Sequence, residues 1–276
     1  MNKFRLNDEE FVKLSSFIYS NFGIKLPITK KVLLEGRLQK RIKANQFNSF
    51  KEYIDFVFSE EGESEIISMI DQVSTNKTDF FREAKHFDFF REVVLENHLK
   101  FNDRNPIKVW SSAASSGEEI YTIAISIEEF NRQNNSKIDY TVLGTDISLE
   151  ILQKAQNAVY TEDRVLNIPI EIKRRYFLRS KDKIKRTVKI IPEIRKKVRF
   201  QRLNLMDDNY AVDSDFDVVF CRNVLIYFDK ETQEKVVKKQ CSKLRVGGYF
   251  FLGHSESILG FDVPLKQIKP TVYMKI

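Results

Sequence analysis

The sequence predicts an α/β protein: a doubly wound sheet with a small antiparallel β insert, preceded by a small all-helical domain. Three observations carry this. Beyond residue 105, strand-length apolar runs alternate with amphipathic helical stretches, as in a mostly parallel sheet covered on both faces. Before residue 73, apolar residues recur at spacings of three and four, with no strand-like alternation. Between Arg164 and Arg202 the rhythm breaks into short strands joined by charged turns. That segment carries fifteen Lys and Arg against three acids, a net +12, which leaves the rest of the chain at −5 within a total of +7.

The expected division is 1–73 helical, 74–85 a linker contributing to the active site, and 86–276 the α/β domain, with the insert at about 172–200. In the first part Phe11, Leu14, Phe17 and Ile18 mark one helix, Leu34, Leu38 and Ile42 a second, and Tyr53, Phe56 and Val57 a third. The second helix also carries Arg37, Lys40 and Arg41, one turn apart and therefore projecting together, either as a solubilising face or as a substrate-docking face. In the α/β part Ile107–Ser111, Tyr140–Gly144, Val198–Leu203, Phe216–Cys221, Tyr249–Gly253 and Thr271–Lys275 read as strands. Helices are expected over Glu118–Gln133, over Ser148–Asn157 with Ser148 as N-cap, and over Thr232–Leu244, the last ended by Gly247-Gly248. The insert reads as three strands, Arg175–Arg179, Thr187–Ile191 and Lys197–Phe200.

Composition excludes several classes. Hydrophobic residues at 42% and charged residues at 31% are a globular balance, not that of a disordered chain. The longest apolar runs are strand-length, far short of the about 20 residues of a membrane span, and the N-terminus has no signal-peptide core. Cys221 and Cys241 form no disulfide framework, which fits a reducing cytoplasm. The three histidines are scattered along the chain, so no metal site is expected.

Ligands of open α/β sheets bind beyond the carboxyl ends of the strands. The first such turn is Ser111-Ser-Ala-Ala-Ser-Ser-Gly117-Glu118-Glu119, whose small residues admit a ligand close to the backbone. A single glycine is not the dinucleotide fingerprint, and Glu118 and Glu119 would repel a pyrophosphate. Acids here suit a cationic ligand or one rich in hydroxyls, and S-adenosylmethionine, with its sulfonium, ammonium and ribose, fits. At the next strand end Asp146 stands where a ribose diol would be held; the alternative for Glu119 and Asp146 is complementing helix dipoles. The strand ending at Cys221 runs into Arg222-Asn223 and on to Tyr227, suited to the wall of a reaction pocket or to loop packing.

Five segments taken together resemble the CheR family, the chemotaxis receptor glutamate methyltransferases. They are Thr75-Asn-Lys-Thr-Asp-Phe-Phe-Arg-Glu83, Trp110–Glu119 with Tyr121, Gly144-Thr-Asp-Ile-Ser148, Cys221-Arg-Asn-Val-Leu-Ile-Tyr-Phe-Asp229 and Gly253-His-Ser-Glu256. They occur in the family's order along nearly the whole chain. The resemblance implies an S-adenosylmethionine-dependent methyltransferase sheet, with S-adenosylhomocysteine as product. By position it also implies that Asn76, Thr78 and Arg82 meet the methionyl end or the reaction centre, and that Glu119 meets the amino-acid or nucleoside portion. Asp146 would meet the ribose, and Asn204, Leu205, Arg222 and Asn223 would complete the adenosyl pocket. Arg82 and Tyr227 would flank the transferring methyl as the catalytic pair. The implied partner is the cytoplasmic helical region of chemotaxis receptors, with a receptor C-terminal peptide at the β-subdomain. The enzyme is expected to be cytoplasmic and monomeric, bound to no nucleic acid and inserted in no membrane. Two departures stand out: Ile120 replaces a frequent proline, and the loop Arg179–Arg186 lacks the glycines that members often carry.

Two other readings compete. The basic insert suggests a nucleic-acid methyltransferase, but it has few stacking aromatics, chiefly Tyr176, Phe177 and Phe200, and no RNA-binding signature. The other is a non-catalytic S-adenosylmethionine-binding adaptor that keeps the fold, against which the intact Arg82, Asp146 and Tyr227 argue.

Overall fold

The structure is a computed structural model that describes residues 4–101, 106–182 and 184–276. Its first part is four helices. Helix α1 (Asp8–Phe22) starts in a capping box between Asn7 and Glu10 and stops at Gly23, whose φ of 69° is left-handed. Helix α2 (Lys31–Ala44) buries Leu34, Leu38 and Ile42, α3 (Phe50–Val57) is capped by Ser49, and α4 (Glu63–Val73) buries Met69, Ile70 and Val73. Their apolar stripes close on one another as a separate core, against which Ile147 of the α/β part also packs.

The second part is built on a seven-stranded sheet. In chain order its strands are β1 (Ile107–Ser111), β2 (Tyr140–Asp146), β6 (Val198–Arg202), β7 (Phe216–Cys221), β8 (Leu244–Leu252), β9 (Leu265–Lys269) and β10 (Val272–Lys275). In space they run β6-β2-β1-β7-β8-β10-β9, with β10 antiparallel to both neighbours and the other pairs parallel. The order reverses between β1 and β7, so a crevice opens beyond the carboxyl ends of those strands, beside the β1 turn singled out in the sequence. Strand β7 is buried along its whole length. Val218 and Phe220 face one core layer, and Val219 and Cys221 the other, as expected of a sheet covered on both faces.

A second, three-stranded antiparallel sheet follows the helix Leu149–Asn157 and has the order β3-β5-β4, with β3 at Val159–Thr161, β4 at Phe177–Arg179 and β5 at Thr187–Ile190. This corrects the insert read from sequence. Lys197–Phe200 is not its third strand: Val198–Arg202 pairs in parallel register with Val142–Asp146 in the main sheet. The third strand is Val159–Thr161, three residues that are too few to show an alternation. Two other elements differ from expectation. Gly247-Gly248 does not end the helix, which stops at Lys243 with Leu244 as its cap; the glycines lie inside β8, where Gly247 has φ +73° and the pairing with β7 shifts register, so they accompany a bulge. The lysine-rich edge strand β9 shows no apolar period. No helix among the described residues is long and apolar enough to cross a membrane.

The basic face assigned to α2 is not one surface. Arg41 forms two hydrogen bonds with Glu65 of α4, at 2.8 and 2.5 Å, and Tyr53 donates a third at 2.9 Å. Arg37 turns toward the linker, where it donates to the Val73 carbonyl, to the Ser74 carbonyl at 3.2 Å and to Thr75 Oγ1 at 3.1 Å. Only Lys40 of the three is exposed. Helical spacing placed the cations on neighbouring positions, but it could not show that α4 supplies a carboxylate to one and the linker supplies carbonyls to another. Glu65 is 5% exposed, so Arg41→Ala would leave a buried carboxylate without its cation. The expected cost is about 3 kcal/mol in urea unfolding; a change near zero would show that water compensates the acid.

Candidate active site

One cleft, enclosing ≈ 1150 Å³ with its solvent-open part included, brings together every residue to which the sequence reading gave a catalytic or cofactor role: Asn76, Thr78, Arg82, Glu119, Asp146, Asn204, Leu205, Arg222, Asn223 and Tyr227. Arg37 lines it too, whereas Lys40 and Arg41 do not. The floor is the ends of β1, β2 and β7. The roof comes from the helical domain through Phe22, Ile24, Leu26 and Leu33.

The first two strand ends are laced together before any ligand is considered. Trp110 Nε1 donates to Thr145 Oγ1 at 3.0 Å, and Thr145 donates to the Ser112 carbonyl at 3.1 Å. The turn that follows needs Gly117, whose φ is +94° and whose Cα lies where a Cβ would come within 3.0 Å of Ala155 Cβ. Ser115 has φ +48°, which aims its N–H at Asp146 Oδ2, 2.9 Å away. Ser148 N–H donates to the other oxygen, Oδ1, at 3.1 Å. Asp146 is thus held by two backbone donors at the mouth of β2. Its pKa is raised, because burial outweighs those hydrogen bonds.

The two adjacent acids of the turn part company. Glu118 turns away to Arg164, 2.6 Å off, and that guanidinium also meets Asp79 at 3.1 Å and the Thr78 carbonyl. Glu119 faces the cleft, accepting from Ser111 Oγ at 2.8 Å and from Arg222 Nη1 at 2.7 Å. Arg222, with 1% of its side chain exposed, also donates to Glu83 Oε2 at 3.0 Å and to the Arg82 carbonyl at 2.5 Å, and lies 5.4 Å over the Phe87 ring. It is therefore a buried ionic hub at the wall of the pocket, tied to protein groups on both sides.

The linker is irregular and strained where it meets that hub. Phe81 and Glu83 have φ of 54° and 59°, uncommon for residues with a Cβ. The twist sends successive side chains apart: Phe80 stacks edge-on against Tyr160 and Phe177 of the small sheet, Phe81 against Phe87 in the core, and Arg82 lines the cleft. Across the cleft, Asn223 (φ 58°) and the short helix Leu225–Tyr227 are braced by Glu256, whose carboxylate accepts N–H bonds from Asn223, Leu225 and Gly253 at 2.7–2.8 Å. A Cβ at Gly253 would fall 2.4 Å from Asn223 Nδ2, so the approach needs glycine. Glu83 and Glu256 stand out in the sequence only as members of the family-like segments, and their bracing roles require the fold.

Sheet order, switch-point cleft and acids at two successive strand ends define a class, the S-adenosylmethionine-dependent methyltransferases. Comparison with known proteins narrows it. The model described as "CheR methyltransferase, SAM binding domain" matches residues 76–274, and "CheR methyltransferase, all-alpha domain" matches residues 9–74. A chemotaxis protein methyltransferase of Borreliella burgdorferi is 40% identical, covering 99% of this chain and 98% of its own. Chemotaxis protein methyltransferase 2 of Pseudomonas aeruginosa is 32% identical (98% and 94%), and the Klebsiella aerogenes chemotaxis protein methyltransferase 36% (91% and 84%). The chain belongs to the CheR methyltransferase family, and its cofactor is S-adenosylmethionine. The cleft fits that molecule: carboxylates of Asp146 and Glu119 for hydroxyls and a cationic amine, and apolar Ile147, Leu203 and Leu205 for a base.

Glu83 supplies a pH signature. Burial raises its pKa, but the Arg222 charge and hydrogen bonds from Arg222, Asn223 and the His254 N–H outweigh this and hold it below the ordinary value. A depressed folded pKa gives stability that is present above the unfolded value of about 4.3 and lost as pH falls through the folded one. Arg222→Met should remove that contribution, costing about 3–5 kcal/mol at neutral pH by stranding two carboxylates and flattening the acid limb of stability against pH. An acid limb identical to the parent's would mean that Glu83 gains nothing from Arg222.

Proposed function

We propose that this methyltransferase esterifies glutamate side chains on the cytoplasmic helical region of chemotaxis receptors, leaving S-adenosylhomocysteine. The observation that carries the reading is the meeting, in one cleft, of the Asn76–Arg82 linker, the β1 and β2 ends, and the Arg222–Tyr227 segment. The names of the relatives, chemotaxis protein methyltransferases, support the substrate class.

Bound S-adenosylmethionine supplies an electrophilic methyl on a sulfonium. We assign Asp146 to its ribose, Glu119 to its amino-acid or nucleoside portion, and Asn204, Leu205, Arg222 and Asn223 to the adenosyl pocket. Asn76, Thr78 and Arg82 take the methionyl end. The fixed Asp146 carboxylate keeps lone pairs for two hydroxyls while its backbone donors hold it in place. Arg222 acts through Glu119, setting where that carboxylate points.

The acceptor glutamate, with an ordinary pKa of about 4.3, is ionised at neutral pH, so no residue has to remove a proton. With the cofactor in place, the glutamate oxygen would take the methyl carbon, and S-adenosylhomocysteine would leave with the electron pair of the broken C–S bond. What remains for the protein is orientation and exclusion of water, where effective molarities can reach about 10⁵ M or more. We assign Arg82 and Tyr227 to aligning the incoming carboxylate. Arg82 already donates to the Lys77 carbonyl at 2.9 Å, so it contacts an acceptor with only part of its guanidinium and avoids over-stabilising the ground state. A receptor C-terminal peptide adding to the exposed edge of β4 is a second contact that this reading carries, since β4 pairs with β5 alone in the small sheet. The loop beside it holds Lys181, Lys185 and Arg186; Lys183 lies outside the described residues.

Incubation with tritiated-methyl cofactor and receptor fragments should yield counts released as methanol by base; base-stable counts would overturn the ester. Asp146→Ala should weaken cofactor binding by about 1.5–3 kcal/mol in calorimetry, and unchanged affinity would remove it from the ribose site. Tyr227→Phe should lower kcat more than it weakens cofactor binding; an unchanged kcat would return this ring to a packing role.

A further inference from the structure

The chain has three histidines, and the fold brings two of them together beside the active site. The rings of His86 and His254 lie 5.0 Å apart between centroids, at 78°. His86 is 3% exposed. Its Nε2 is 2.8 Å from Thr271 Oγ1, and the Thr271 hydroxyl proton is directed to the Pro270 carbonyl at 2.7 Å. With the Thr271 hydroxyl donating to Pro270, the hydrogen-bond network assigns the ring proton to Nε2 and leaves Nδ1 with a lone pair. That Nδ1 is buried and has no hydrogen-bond partner. It points toward Glu83 Oε2, 3.5 Å away, and His254 Nε2 stands 3.9 Å from the same oxygen.

We propose that His86 Nδ1, His254 Nε2 and Glu83 Oε2 form a binding site for a divalent transition-metal ion of the zinc type. The three ligand atoms all lie within 4.8 Å of one another. Tetrahedral zinc, with bonds of about 2.0–2.1 Å, requires its ligands roughly 3.4 Å apart. The His86–Glu83 pair already has that spacing. The His254 side chain, 54% exposed, has room to close the remaining gap.

The electrostatics point the same way. A lone pair facing a carboxylate in a buried place is repulsive unless a cation lies between them. The outer contacts are those of a metal site: Thr271 fixes the tautomer of one histidine, while Asn223 and the His254 N–H hold the carboxylate. Two imidazoles and one carboxylate suit zinc, nickel or copper, not calcium or magnesium, which take oxygen ligands. The exposed His254 leaves the fourth position to solvent. Arg222 shares Glu83 with the ion, which weakens binding and couples the site to Glu119 across the cleft.

The test uses the full chain stripped with a chelator and then titrated with Zn²⁺ alone against a chromophoric chelator. One equivalent should bind, His254→Ala should weaken it at least tenfold, and His98→Gln should bind as the parent does. Co²⁺ should give visible ligand-field bands in the parent that His254→Ala loses. His254 is a surface side chain, so its variant stays readable even where His86→Gln fails to fold. No bound equivalent in the parent, or equal Zn²⁺ affinity in parent and His254→Ala, would overturn the site.

Discussion

Arg222 is the constraint around which the cleft is organised. Its guanidinium is buried between Glu119, from the helix after β1, and Glu83, from the linker, and it also bonds the Arg82 carbonyl. Removing such ions from water costs several kcal/mol each, recovered only when geometry and hydrogen bonding are good on all sides. Those conditions force β7, the linker and the helix starting at Glu118 into one relative position. Reactive groups on three chain segments can then share a pocket without any one segment being rigid by itself.

Four of the ten non-glycine residues with positive φ among the described residues fall at the hub and its cleft. Phe81, Glu83, Ser115 and Asn223 all adopt positive φ, and all four belong to segments that line or brace the cleft. Such conformations cost about 1–3 kcal/mol each and persist only where the surroundings over-determine them. The surroundings do so here: Glu83 is tied to Arg222 and Asn223, Ser115 N–H to Asp146, and Asn223 N–H to Glu256. A two-sided pocket for a small cationic cofactor is built by bending the chain back on itself at these positions.

The helical domain takes part in the same construction. Tyr19 donates to Asp229, which also caps the helix Lys230–Lys243, and Asn204 Nδ2 donates to the Asn21 carbonyl at 2.8 Å. Gly23 packs so closely on Phe228 and Met206 that a Cβ would clash at 2.5 Å. Arg37, expected at a docking surface, instead grips the start of the linker. The positive charge of α2 thus serves partly to position the segment that leads to Asn76, Thr78 and Arg82, closing the roof over the cofactor site.

The sequence by itself determined the fold class, the helical domain, the parallel core strands and which residues line the cleft. A continuous apolar run marks Phe216–Cys221 as a buried strand wherever it sits, and strand ends in α/β sheets bind ligands by topology alone. Asp146, at the end of β2, and Glu119, in the first turn of the helix after β1, were legible as cleft residues because those positions are local features. Tertiary structure decided what depends on partners distant in the chain. Glu118 and Glu119 are adjacent and chemically equal, yet Arg164 takes one and Arg222 the other. Val159–Thr161 becomes a strand because β5 lies alongside it. His86 and His254 look scattered along the chain, and only the turn at Thr271 and the pairing of β8 with β10 bring them beside Glu83. Periodicity records which face of an element is apolar; it holds no record of which distant side chain will neutralise a given charge, because that is fixed by packing in three dimensions.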